Sequence, residues 1–220
     1  MPDYERGPAE RPNTGEPSTP RPAAGIVLLR RGGKHSERAL EVLMLKRTEQ
    51  ASFMPGVWVF PGGAVDPGDG EKESGYRACA MRELAEEAAI ELPAGEELVL
   101  FSRWVTPEIV STRFDAWFFL ALAPAHTPPQ PDGVETTEAA WVKPAEALEA
   151  HAAGTHSMAF PTVHQLRWLL PYRTSDEALA AYRGRSVDAV MPKIVEDADG
   201  GAGWRPVLPG EPGYDDQPPA

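Results

Sequence analysis

The sequence predicts a mixed α/β fold, in which helices pack on a mixed β-sheet and a helical segment is added towards the C-terminus. Three observations predict it. Short apolar runs alternate with turn-rich polar links, residues 73–90 repeat their apolar side chains with a helical period, and residues 98–105 and 114–122 are rich in the aromatic and β-branched residues typical of strands.

The predicted elements begin with strands and end with helices. Residues 24–29 and 40–45 are apolar runs separated by a turn-rich link, so they are expected to form a β-hairpin. Residues 57–60 form a short strand that runs into Pro61-Gly62-Gly63. The remaining strands are expected at 98–105, 114–122 and 139–142, and the helices at 73–90, 144–153, 162–170 and 175–181.

The chain contains enough material for one domain. Of its 220 residues, 42% are hydrophobic, and the prolines concentrate near both ends. Residues 1–22 have too few aliphatic side chains to offset the entropy of ordering and are predicted to form a disordered arm. Residues 23–196 are expected to form the domain, and 197–220 a flexible tail that Trp204, Val207 and Leu208 could pin to it.

The charge excludes several classes of protein. With 21 basic and 33 acidic residues the net charge is −12, which disfavours binding to nucleic acid or to an anionic membrane surface. There is no apolar run long enough to span a bilayer. The single Cys79 can form no internal disulfide and is expected to be a packing residue. A cytoplasmic protein is therefore expected.

The predicted helix 73–90 carries a narrow acidic face. At about 100° per residue, Glu83, Glu86 and Glu87 fall together with Arg82 beside them, and alanine and leucine fill the opposite side. Like charges three and four residues apart weaken a helix, so something should offset the repulsion. Two explanations are open at this point, a solvated charged face and a site for a hard divalent cation.

The preceding residues favour the cation. Phe60-Pro61-Gly62-Gly63, a glycine turn before a helix with Arg-Glu-Leu-x-Glu-Glu at 82–87, resembles the signature of the Nudix hydrolases. The resemblance implies an α/β/α sandwich that hydrolyses a nucleotide-linked diphosphate with Mg²⁺ or Mn²⁺. It implies the following site: metal ligands Glu83, Glu86, Glu87 and the Gly62 carbonyl; Arg82 as the residue that orients a glutamate; and Gly63 against the substrate.

Three positions depart from the family signature. Asp69 stands where the family has glutamate, and twelve residues rather than seven separate it from Arg82. Glu71 or Glu73 could therefore orient the arginine instead. Ala89 replaces a glycine, so the helix is expected either to bear a strained left-handed cap or to run one turn longer.

The upstream residues resemble the peroxisomal-type coenzyme A diphosphatase subfamily and its bacterial relatives. Leu43, Arg47, Gly56 and the Phe60–Gly63 turn fit its pattern, whereas Ser52 replaces an arginine suited to a nucleotide 3′-phosphate. Coenzyme A or an acyl derivative is one expected substrate. ADP-ribose, NADH and nucleoside triphosphates are alternatives, and a non-catalytic nucleotide-binding module is a second functional class.

Four further residues are candidates for the site. Arg47 and Arg113 are expected to contact phosphate, with surface salt bridges as the alternative. Glu135 and Glu138 lie in the predicted loop before Trp141, where Nudix folds often carry a late carboxylate that acts as a base or extra ligand; a solvated loop acid is the alternative for each. Glu138 is counted among the catalytic residues. Members of this family often pair, so a homodimer is one expected state.

Overall fold

The computed structural model describes residues 13, 15–31, 40–51, 54–70, 72–125, 127–196 and 204–215. Ten strands and four helices lie in these ranges. The strands are β1 Arg21–Arg31, β2 Leu40–Arg47, β3 Trp58–Val59, β4 Gly62–Ala64, β5 Val99–Val105, β6 Phe114–Leu122, β7 Thr136–Val142, β8 Ala189–Val190, β9 Lys193–Glu196 and β10 Trp204–Val207. The helices are α1 Lys72–Ala88, α2 Pro144–Ala152, α3 Phe160–Leu169 and α4 Ser175–Tyr182.

The segment with the glycine turn lies between two strands of the predicted hairpin. β1 and β2 pair antiparallel only near the link, through Leu29–Val42 and the two pairs that follow. Further along, β4 pairs with β1 from Ala23 to Gly25, and β3 pairs with β2 at Leu45 and Lys46. Away from the link, β1 therefore pairs with β4 and β2 pairs with β3, instead of with each other. The glycine turn, which joins β3 to β4, is thus held between β1 and β2 in the centre of the sheet.

The sheet separates two cores, as an α/β/α sandwich requires. Alternate residues of β1 point to opposite faces: Ile26 and Leu28 pack with Leu84 of α1 on one face, while Val27 and Leu29 pack with α2, α3 and α4 on the other. In the large sheet β1 also pairs parallel with β6, and β5 follows beyond it. The predicted fold class is confirmed.

Two segments predicted to lie outside the domain are partly built into it. Arg21 and Pro22 belong to β1, so the predicted arm ends earlier than expected; most of it lies outside the described residues. In the predicted tail, β10 pairs antiparallel with β9, and Val207 is fully buried. The described helices include none that is both long and apolar enough to cross a bilayer.

Helix α1 ends at Ala88, two residues earlier than predicted, because the next residue turns left-handed. Ala89 has a φ of 52°, and Ile90 then enters the core without solvent exposure. Of the two expectations for Ala89, the left-handed cap is correct and the longer helix is wrong. The cost of this conformation for a residue with a Cβ is about 1 to 2 kcal/mol.

Replacing Ala89 by glycine should therefore stabilise the protein. We expect Ala89→Gly to raise the free energy of unfolding, measured by urea denaturation, by about 0.5 to 1 kcal/mol, because glycine adopts this φ without steric cost. The control Ala85→Gly lies in the interior of α1 and should lower it by about 1 kcal/mol. Equal destabilisation by both variants would contradict a strained cap at Ala89.

Candidate active site

The candidate site forms where α1 crosses β4. The Gly62 N–H donates to Glu87 Oε2 at 2.9 Å, and this carboxylate is almost fully buried. Beside it, a Cβ on Gly63 would overlap the carboxylate of Glu83. The helix can bring two glutamates onto the strand only because the strand presents bare backbone.

A second close approach lies under β4. A Cβ on Gly62 would lie 2.7 Å from the Cα of Gly25, and a Cβ on Gly25 would lie 2.7 Å from the ring of Phe118. Here the neighbouring atoms are backbone or a packed ring, so they have little room to move. Gly25 was missed by the sequence reasoning, and its position within an apolar run was the only available signal.

Arg82 lies at the centre of the acidic face. Its Nη1 is 2.9 Å from Glu83 Oε1 and 2.9 Å from Glu86 Oε2. Its Nη2 also donates to the Ala64 carbonyl at 3.2 Å, directly after the glycine pair. One guanidinium thus neutralises two of the repelling carboxylates and ties the helix to β4.

Asp69 holds Arg82 from the other side. Its two oxygens accept from Nε and Nη2, each at 3.0 Å, in a bidentate pair. The hydrogen bonds from Arg82 hold the pKa of Asp69 below its ordinary range. Glu73 pairs with Arg77 instead, and Glu71 lies outside the described residues. Asp69 therefore occupies the orienting position itself, so the expected replacement by Glu73 is wrong.

The acidic side chains Glu83 and Glu87 of the site are partly or almost fully removed from solvent. Burial raises the pKa of Glu87 to about 8, although the Gly62 N–H and the charge of Arg47 act in the opposite direction. Burial likewise raises the pKa of Glu83. The charge of Glu135 adds to the repulsion felt by both carboxylates. Among the predicted residues, Arg47 and Glu135 therefore act electrostatically on the α1 carboxylates: Arg47 on Glu87, and Glu135 on both Glu83 and Glu87.

Two predicted site residues have other contacts. Glu138 lies in β7 rather than in the preceding loop, and its Oε1 is 2.9 Å from Lys46 Nζ. Arg113 is buried, with Nη1 donating to the Ser18 carbonyl at 2.7 Å and Nε to the Thr106 carbonyl at 3.0 Å. Its donors hold backbone together, so this arrangement does not support a phosphate contact by Arg113.

Cys79 is the packing residue that was expected. It is fully buried one helical turn before Glu83, and its sulfur lies 3.4 Å from the Ala64 carbonyl. Burial, with the charges of Glu83 and Asp69, raises the pKa of the thiol to about 12, which keeps it protonated and unreactive.

The side chains fit a hard divalent cation in chemistry, because carboxylate oxygens are the ligands that Mg²⁺ and Mn²⁺ prefer. Their arrangement is not a preformed ligand cage: among the described residues, no three His, Cys, Asp or Glu side chains converge on one point. Glu83 and Glu86 meet on Arg82, and Glu87 meets the Gly62 N–H. The glutamate side chains would therefore have to rotate to share one ion.

Loss of the Asp69 anchor should destabilise the protein. We expect Asp69→Asn to lower the free energy of unfolding by about 2 kcal/mol, because a half-buried guanidinium loses its bidentate charged partner and keeps only Glu83 and Glu86. The matched control Glu73→Gln removes an exposed pair with Arg77 and should cost less than about 0.5 kcal/mol. Urea denaturation of both variants checks this, and equal losses would show that Asp69 is not the anchor.

Comparisons with known proteins agree with this architecture. A Caenorhabditis elegans protein assigned as nudix hydrolase 7 is 28% identical over 180 residues, which cover 66% of this chain and 59% of that protein. The chain thus spans less than two thirds of this curated relative.

Solved structures share the fold. The NUDIX hydrolase from Alicyclobacillus acidocaldarius superposes with a TM-score of 0.66 at 24% identity, covering 74% of this chain and 96% of that one. The NUDIX domain of Shewanella oneidensis NrtR, solved with ADP ribose, gives a TM-score of 0.51 at 20% identity and covers 70% and 90%. The NUDIX domain family model matches residues 19–163, more than half of the chain. The chain belongs to the NUDIX domain family.

Proposed function

We propose that this chain hydrolyses a nucleotide-linked diphosphate, X–O–P–O–P–Y, with the help of Mg²⁺ or Mn²⁺. The observation that carries the proposal is the meeting of Glu83 and Glu87 of one helix with a bare glycine strand, with Glu86 beside them on Arg82. The charges of Arg47 and Glu135 act on the same cluster. An acidic cluster of this kind binds an anionic substrate only through cations. The relative assigned as a nudix hydrolase supports the same reaction class.

Glu83, Glu86 and Glu87 would hold the metal, together with the Gly62 carbonyl. When bound, the metal neutralises phosphate charge and lowers the pKa of a coordinated water. The chain itself supplies the remaining functions. Arg82 and Asp69 fix the direction of Glu83 and Glu86, and the glycine pair leaves room for a phosphate against the backbone.

Arg47 and Glu135 would act on the substrate side of the cluster. Arg47 would bind a phosphate oxygen, because its charge already acts on Glu87. Glu135 takes the part first assigned to Glu138: a late carboxylate that accepts a proton from the attacking water or completes the ligand set. Glu138 and Arg113 are not included in the proposed site.

Coenzyme A and ADP-ribose are the first substrates to test. The fit of Leu43, Arg47 and Gly56 to the coenzyme A pattern favours the former. Ser52, which replaces the arginine of that pattern, lies outside the described residues. ADP ribose is bound to the Shewanella NUDIX domain. Hydrolysis would release two phosphate-bearing halves from either compound, which chromatography separates.

Removing one carboxylate charge should abolish most turnover. We expect Glu86→Gln and Glu87→Gln each to lower kcat/KM by at least about 100-fold with Mg²⁺ or Mn²⁺, while the exposed control Glu91→Gln stays within about twofold. Steady-state assays on coenzyme A, ADP-ribose, NADH and nucleoside triphosphates measure this. Full activity in both variants would refute the site, and ligand-induced stabilisation without turnover would indicate a binding module instead.

A further inference from the structure

Residues 130–136, which follow β6 and end at the first residue of β7, are hydrogen-bonded to the carboxyl end of α1. The Gln130 N–H donates to the Ala88 carbonyl at 2.8 Å. The Thr136 hydroxyl lies 3.0 Å from the Glu87 carbonyl oxygen and is fully buried. The last carbonyls of a helix have no partner within the helix, so this segment supplies partners for two of them.

Asp132 accepts hydrogen bonds from the backbone of the same segment. Its Oδ1 accepts from the backbone N–H groups of Val134, Glu135 and Thr136 at 3.1, 3.0 and 2.8 Å. The Thr136 hydroxyl is also 3.1 Å from this oxygen, so its single proton can serve either Asp132 or the Glu87 carbonyl. Although partial desolvation acts in the opposite direction, these N–H groups together lower the pKa of Asp132, which is an exposed residue. Its carboxylate therefore stays an acceptor.

A third contact fixes Glu135 against the sheet. The Thr48 N–H donates to the Glu135 carbonyl at 2.9 Å, and β2 pairs with β7 through Arg47 and Thr136, where the register shifts between Lys46 and Arg47. Such a bulge re-aims side chains locally. The backbone of Glu135 is thus bonded to Thr48 at the end of β2. The next residue, Thr136, contacts the end of α1.

We propose that Asp132 and Thr136 are positioning residues, which latch residues 130–136 onto α1 and thereby hold the Glu135 carboxylate beside Glu83 and Glu87. The inference rests on the proposed function. Neither residue touches substrate. They act by fixing the backbone of Glu135. Without that restraint the Glu135 side chain would move away from the cluster, because it is exposed and is repelled by Glu83 and Glu87.

The Thr136 hydroxyl gives the sharpest test. We expect Thr136→Val, which keeps the shape but removes the donor, to lower kcat by about tenfold and leave KM within about twofold. Thr136→Ser keeps the hydroxyl and should retain kcat within about threefold of wild type. The neighbouring exposed control Thr137→Val loses only a long contact of 3.5 Å to the Lys46 carbonyl and should match wild type.

A double-mutant cycle asks whether the latch acts through Glu135. In a Glu135→Gln background, which itself should be slow, Thr136→Val should cause almost no further loss of kcat. The latch is overturned if the two losses multiply, if Glu135→Gln is fully active, or if Thr136→Val is as active as Thr137→Val.

Hydrogen exchange separates this proposal from the proposed function. In Asp132→Ala, which removes the acceptor, the amides of Val134, Glu135 and Thr136 should exchange at least about tenfold faster, without such a change in the core strands. The exposed control Asp188→Ala should leave them unchanged. If wild type hydrolyses no diphosphate but these amides respond, the proposed function fails and the latch stands. Unchanged exchange in Asp132→Ala overturns the latch.

Discussion

The candidate site depends on one hydrogen bond, from the Gly62 N–H to the buried carboxylate of Glu87. A carboxylate taken out of water is costly unless it is paired, and the strand supplies the pair without a side chain of its own. Because Gly25 and Gly62 lack a Cβ, β4 can lie close to β1, and because Gly63 lacks one, Glu83 of α1 can lie against β4. This contact fixes α1 against β4, and with it the position of the three acidic groups that α1 carries.

Charge balance then explains how three acids can share one helix face. Arg82 bridges Glu83 and Glu86, and Asp69 holds the arginine in place. The remaining charge is confined: residues 66–96 carry nine acids and three bases, a net of −6 within the total of −12. The negative charge that disfavours binding to nucleic acid is thus concentrated at the candidate site. A bound cation there would offset the repulsion between these carboxylates and a phosphorylated substrate.

Periodicity and spacing were enough to predict the longer strands, the four helices and the acidic face, because each depends on neighbouring residues along the chain. The short strands β8, β9 and β10 were not predicted. Contacts between distant segments were not predictable in this way. The choice of Asp69 over Glu73 as partner of Arg82 depends on how the loop before α1 folds back. Likewise, nothing in the local pattern distinguishes Glu135 from Glu138. The distinction comes from Asp132 and Thr136, whose hydrogen bonds to the loop and to α1 exist only in the folded chain.

Binding of Mn²⁺ to the full chain tests the central proposal most directly, since it requires neither the correct substrate nor turnover. Electron paramagnetic resonance follows the free ion during titration. We expect saturable binding to wild type, and binding at least about tenfold weaker in Gly63→Ala, whose Cβ would displace the flexible carboxylate of Glu83 without moving backbone. Absence of binding to wild type, or equal binding by the two proteins, would contradict a metal site between α1 and β4.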